Sequence, residues 1–162
     1  MRCFKPGDLA VYPNYGVGKV ESIETRSLGQ NDINCYVINM ISNGSKVFVP
    51  VDSAKDMGLR TLTEKDSAKS VYSCFKSKNQ DLLRMNWNKR YRFLQDKMKT
   101  GRIDDVASVI SNLNYLKKKK GLSYGEDKLL CEAEEIISTE LSISENLSKD
   151  EILTKIKDSL NY

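Results

Sequence analysis

The chain of 162 residues contains no histidine. That removes the commonest general base and the commonest metal ligand together. Chemistry on carboxylate, cysteine or lysine stays open, but no acid–base carboxylate pair, nucleophile motif or metal-ligand spacing stands out. The four cysteines, at 3, 35, 74 and 131, include no CxxC pair of a zinc or redox site. They read as ordinary cytosolic thiols, some buried as small apolar residues. No apolar run approaches the ~18–20 residues that span a bilayer. The opening, Met1-Arg2-Cys3-Phe4-Lys5-Pro6-Gly7-Asp8, lacks the apolar stretch of a secretory signal. The expectation is a cytoplasmic, non-enzymatic protein without cofactor or metal. Gly16-Val17-Gly18 lacks the Gly-Lys-Ser/Thr that completes a phosphate loop. It leads into a strand, and reads as a tight β-turn.

What is present is a core-forming composition, 40% hydrophobic and 30% charged, on a length that suits one domain or two small ones. The net charge of +4 is unevenly spread. Residues 1–76 carry +2, residues 77–128 carry +7 and residues 129–162 carry −5. The middle stretch is the one electrostatic candidate for a polyanion site.

The first 60 residues read as β-structure. Leu9–Pro13, Lys19–Arg26, Cys35–Met40 and Lys46–Val51 are short runs rich in β-branched and aromatic residues. Leu28–Asn34 is polar and turn-like, and Asn43-Gly44 is a hairpin signal. Pro50 cannot donate to a ladder, so its end of the strand belongs at an edge or a bulge. Such strands predict a small, strongly bent sheet or barrel, and the lack of helical crossovers argues against a βαβ fold. From Thr63 the period becomes helical. Thr63 is placed to cap a helix whose apolar face is Val71, Tyr72 and Phe75. Residues 77–83 read as a linker. A second helix is predicted over Trp87–Lys99, with Tyr91, Leu94 and Met98 as its core stripe. A third starts near Asp104 or Asp105 and ends at Lys117–Lys120, before Gly121. Capping boxes at Ser123–Glu126 and Ser148–Glu151 open two more. The fold class is therefore α+β. The domains are 1–62, a small bent β-sheet or barrel; 63–83, helix and linker; and 84–162, all-helical.

Trp87, the single tryptophan, stands at a helix start beside Asn86, Asn88, Lys89, Arg90 and Arg92. Such a residue is either packed into a core or an aromatic wedge against nucleic acid, flanked by phosphate-binding cations. The Lys117–Lys120 run meets the carbonyl end of its helix favourably. Some of its members could also face DNA.

Several strings then resemble one family in order. Phe4-Lys5-Pro6-Gly7-Asp8-Leu9-Ala10-Val11-Tyr12-Pro13-Asn14-Tyr15-Gly16-Val17-Gly18 is similar to the opening of the CarD/CdnL family of bacterial transcription regulators. Ile23-Glu24-Thr25-Arg26, Val49-Pro50-Val51, Gly58-Leu59-Arg60, Trp87-Asn88-Lys89-Arg90-Tyr91 and Leu122-Ser123-Tyr124-Gly125-Glu126 continue the resemblance, which covers roughly residues 3 to 145. It implies a Tudor-like N-terminal domain that binds the RNA polymerase β subunit, and a helical domain that touches promoter DNA.

On the polymerase side the resemblance implies Arg26 and the strand Lys46, Val47, Phe48, Val49 and Pro50, the edge that pairs with a β-subunit strand. Where some relatives carry a second basic residue, this chain has Phe48, with Lys46 two residues earlier on the same face. On the DNA side it implies Trp87, inserted in the minor groove at the upstream edge of the bubble, with Asn88, Lys89, Arg90 and Arg92. After the Leu-Ser-x-x-Glu motif, where some relatives have a basic residue, stands Asp127, followed by Lys128, which completes the set. The reading is a regulator that stabilises the open promoter complex, with a monomer as the simplest state, no membrane partner and little sequence specificity. The alternatives are a stand-alone architectural or repressor DNA-binding protein using residues 84–120, and a module that grips only proteins.

Overall fold

The structure is a computed structural model that describes residues 3–160, so the outermost two residues of each terminal range above lie outside the described residues. The chain divides into two compact units between Leu62 and Thr63.

The first unit is a four-stranded antiparallel sheet in the order β1-β2-β3-β4. Its strands are β1 (Leu9–Tyr12), β2 (Gly16–Leu28), β3 (Asn31–Met40) and β4 (Lys46–Pro50). The register shifts between Val20 and Ser22, a bulge that bends the long second strand. One face carries the core of Phe4, Ala10, Val20, Tyr36, Ile38, Met40 and Val49, closed by Ala54 and Leu59. The segment after β4 returns to β1, where the Val11 and Arg60 amides each donate to the other's carbonyl, at 2.8 and 3.0 Å. That bridge covers part of one sheet edge. The other edge, β4, pairs among the described residues only with β3.

Two expectations are corrected here. Of residues 28–34, only Gly29 and Gln30 form a turn. β2 and β3 run on as a ribbon to Leu28 and Asn31, turning over Gly29 and Gln30. Thr25–Asn34 and Ser27–Asp32 side-chain bonds at 2.9 and 2.6 Å hold it, so polar residues suffice without a core. Gly16-Val17-Gly18 is likewise strand, and the turn lies just before it, with Asn14 at φ 66° and Gly16 at φ 84°. Gly18 is required by close approach instead. A Cβ there would lie 2.4 Å from Ile38 Cγ2 and 2.9 Å from Met40 Sδ.

The second unit contains α1 (Lys65–Cys74), α2 (Trp87–Lys99), α3 (Ile103–Lys120), α4 (Tyr124–Glu145) and α5 (Lys149–Ser159). Both predicted capping boxes are present, at Ser123–Glu126 and Ser148–Glu151. Gly121, at φ 80°, ends α3. Its core joins Val71 of α1 and Phe75 just beyond its end, Leu94 and Met98 of α2, and the buried stripes of α3, α4 and α5. Residues 77–83 are more than a linker. Gln80–Leu83 is a 3-10 turn that buries Leu82 fully, and Ser111 and Asn112 of α3 bind the backbone around it. Nor does Thr63 cap α1. The N-cap is Glu64, without a side-chain bond, while the Thr63 amide and hydroxyl both donate to the buried Glu140 carboxylate, at 2.9 and 2.8 Å. Among the described residues, no helix is long and apolar enough to cross a membrane.

Gly18→Ala tests the close approach. It is expected to destabilise the β unit by about 1–3 kcal/mol, the usual range for overpacking, measured by urea unfolding.

Candidate nucleic-acid and strand-pairing sites

The helical site is built where the first turns of α2 and α4 meet. Asn86 caps α2 by accepting the Lys89 amide at 2.9 Å. Ser123 caps α4 by accepting the Glu126 amide at 3.2 Å. Trp87 and Tyr91 lie one turn apart on α2, and their rings stack at 4.9 Å and 11°. The rings lie over the first turn of α4: a Cβ on Gly125 would be 3.5 Å from Trp87 Cζ2 and 3.6 Å from Tyr91 Cε2. The indole Nε1–H donates to Ser123 Oγ at 2.8 Å. Trp87 nevertheless stays 43% exposed, and Tyr124, the first residue of α4, is 88% exposed.

Arg90 does not belong with the exposed cations. It is 5% exposed, and its Nε donates to Glu126 Oε1 at 2.6 Å while a terminal nitrogen donates to the Met85 carbonyl at 3.0 Å. Its charge is spent on the α2–α4 junction, so it is removed from the DNA-facing set. Glu126, 2% exposed, closes the capping box by accepting the Ser123 amide at 3.0 Å. Burial by itself pushes its carboxyl up. The Arg90 guanidinium, with the Ser123 amide and hydroxyl, outweighs burial and holds the group below the ordinary value of 4.5.

Asn88, Lys89 and Arg92 are exposed on α2. Lys89 and Arg92 form no ion pair among the described residues. Lys128 is also exposed, one turn beyond Tyr124, and reaches Glu132 at 3.9 Å. Lys117, at the end of α3, pairs with Asp127 at 3.5 Å. The junction thus offers an aromatic platform on two helices that also carry exposed cations, and its one nearby buried charge is already neutralised.

Sequence reasoning missed three members of this site. Tyr91 packs half-buried against the core, as its place in the stripe predicts, but it also serves as the floor under Trp87. The aromatic pair at i, i+4 was the available signal. Ser123 was expected only as a cap, and Tyr124 had no assigned role.

In the β unit, the ladder partners at Ser45/Met40 and Val51/Asn34 fix the parity of β4. The backbone groups of Val47 and Val49 face β3, and those of Lys46, Phe48 and Pro50 face outward. Pro50, which has no N–H, therefore stands where no ladder bond is lost. Side chains alternate too: Val49 is buried, Val47 is half-buried, and Lys46 and Phe48 are exposed. Arg26 lies over the Phe48 ring, 3.5 Å from its centroid, and Lys46 pairs with Glu21 at 2.8 Å. The ring at 48 gives Arg26 a platform that a second cation could not.

Against known families, residues 70–157 match the model described as CarD, C-terminal domain, and residues 4–63 match that of the CarD-like/TRCF RID domain. The chain is similar to "Putative transcription factor YdeB" of Bacillus subtilis (strain 168). The two are 32% identical over 149 residues, which is 92% of this chain and 97% of that protein.

Breaking the buried pair by Arg90→Ala is expected to cost about 3–5 kcal/mol of helical-unit stability, because Glu126 is left charged and alone. The depressed Glu126 group contributes its stability in full above its unfolded value. That stability is lost as pH falls through the lower folded value. Chemical denaturation at descending pH checks both, and Glu126→Gln is expected to remove that part of the acid dependence.

Proposed function

The chain belongs to the CarD family of bacterial transcription regulators, and from that premise we propose that it stabilises the open promoter complex by a tether and a wedge. It is a transcription-associated factor of the RNA polymerase-interacting kind, from a family of transcription factors rather than enzymes. In the proposed mechanism the β unit pairs its open β4 edge with a strand of the polymerase β subunit. Main-chain bonds from Lys46 and Phe48 and the carbonyl of Pro50 supply affinity, and Arg26 with Phe48 and Lys46 supplies the flanking side-chain surface. The helical unit then meets the upstream fork of the melted promoter. Trp87 enters the unstacked step in the minor groove, with Lys89, Arg92 and Lys128 near the phosphates and Asn88 beside them. One copy suffices, the setting is the cytoplasm, and phosphate contacts and deformability dominate over base sequence.

The observation that carries this reading is Trp87: an exposed indole held flat on Tyr91 at a helix N-terminus, with exposed, unpaired Lys89 and Arg92 on the same helix.

A wedge contact present only in the open state slows bubble collapse in proportion to its energy. Aromatic–base stacking of ~1–3 kcal/mol corresponds to roughly 5- to 150-fold. Trp87→Ala is therefore expected to shorten the open-complex lifetime gained at an unstable promoter by that factor, while polymerase binding is retained. A variant with undiminished lifetime would mean the protein works through protein contacts alone.

The tether has its own test. Phe48→Ala and Phe48→Pro both remove the ring, but only the proline removes the outward N–H. Strand pairing predicts that the proline variant binds the β subunit about 2- to 10-fold more weakly than the alanine variant, the span of one net hydrogen bond. Equal affinities would count against strand pairing there.

A further inference from the structure

The indole ring has a single hydrogen-bond donor, Nε1–H. In this protein it is given to Ser123 Oγ at 2.8 Å, across 36 residues of sequence. The same oxygen accepts the Glu126 amide at 3.2 Å as the N-cap of α4. A hydroxyl oxygen has two acceptor sites, and these two donors fill them. The turn that offers this acceptor is fixed in its own right, since Glu126 closes the capping box and meets the buried Arg90. The Trp87 ring is thus held on one face by Tyr91 and at its nitrogen by the cap of another helix, while 43% of the residue stays open to solvent. An exposed aromatic side chain fixed at two points loses little conformational freedom when it binds.

We infer that Ser123 is the positioning residue of the DNA wedge: its hydroxyl holds the Trp87 indole in one orientation before DNA arrives. The inference rests on the reading of Trp87 as the wedge. A stacked ring alone can slide and tilt about its side-chain torsions. The bond to Ser123 sets which edge of the indole faces the helix junction and which faces outward. It also occupies the only donor the ring has. The free part of the ring therefore meets a base step by stacking alone, which suits a contact that tolerates any sequence.

The test compares Ser123→Gly with Ser123→Thr in the full-length protein. Glycine and threonine are similar N-caps, but only threonine keeps a hydroxyl. Thermal unfolding checks that the two variants are equally folded. Trp87 is the sole tryptophan, so its fluorescence anisotropy decay reports the motion of this ring and no other. Ser123→Gly is expected to show a fast local depolarisation absent from wild type and from Ser123→Thr. It is also expected to reduce the open-complex lifetime gain two- to tenfold, the effect of about one net hydrogen bond, with Ser123→Thr restoring it. A glycine variant with wild-type anisotropy, or a loosened ring with undiminished lifetime, overturns the inference. So does a threonine variant as loose and as weak as glycine. Trp87→Ala, run alongside, separates the two claims. If it shortens the lifetime and Ser123→Gly does not, only the role of Ser123 falls. If Trp87→Ala has no effect, the wedge reading itself falls, whatever the anisotropy.

Discussion

The helical unit depends on a charge pair that solvent hardly touches. Arg90 and Glu126 are among the few charged residues buried in it, and they face each other across the first turns of α2 and α4. Neither charge is tolerable there alone. Together, with the Met85 carbonyl and the Ser123 amide taking up further valences, they form a joint that fixes where two helices begin. Everything proposed for DNA contact stands on that joint. Trp87 and Tyr91 flank Arg90 in sequence, and Ser123 and Tyr124 lie just before Glu126. A buried ion pair is an expensive way to gain stability compared with apolar packing. Its value here is directional: guanidinium and carboxylate accept few geometries, so the two helix ends can meet in few ways.

Local signals made most of the architecture legible in the sequence. Capping boxes, the glycine stop after α3 and the apolar stripes depend on residues within a turn of one another, and the helices stand where those signals put them. That the Pro50 end of β4 belongs at an edge or a bulge was also legible, because a proline's missing donor is a local fact, and the structure makes it an edge. What escaped was decided by distant partners. Arg90 looks like its exposed neighbours Lys89 and Arg92 until Glu126 is brought beside it. Thr63 looks like a cap until Glu140, 77 residues on, takes both of its donors. Gly18 looks like a turn residue until Ile38 arrives from the next strand. The β2–β3 ribbon was missed for the opposite reason. Its tip is held by polar cross-strand pairs, so it lacks the hydrophobic alternation by which a strand is recognised.

The two candidate surfaces use different physics, and that suits a division of labour. The β4 edge offers backbone groups, which bind any chain able to lie extended beside them and leave discrimination to the flanking side chains. The α2–α4 junction offers a ring face and positive charge, which in the proposed mechanism would meet a distorted duplex with little regard to sequence. Specificity would then come from where the first contact delivers the second.

An unpaired strand edge is also a hazard, since another copy of the same strand fits it as well as any partner does. β4 carries its own safeguards. It is five residues long, one end is a proline and the other a lysine. In an antiparallel pairing of two such edges, Pro50 of one copy would stand opposite Lys46 of the other, and a donor would be missing at each end of the ladder. Two copies would therefore share a ladder two bonds short of the one that a strand with all its donors could complete. The edge that is open to a partner is by its own sequence a poor seed for aggregation.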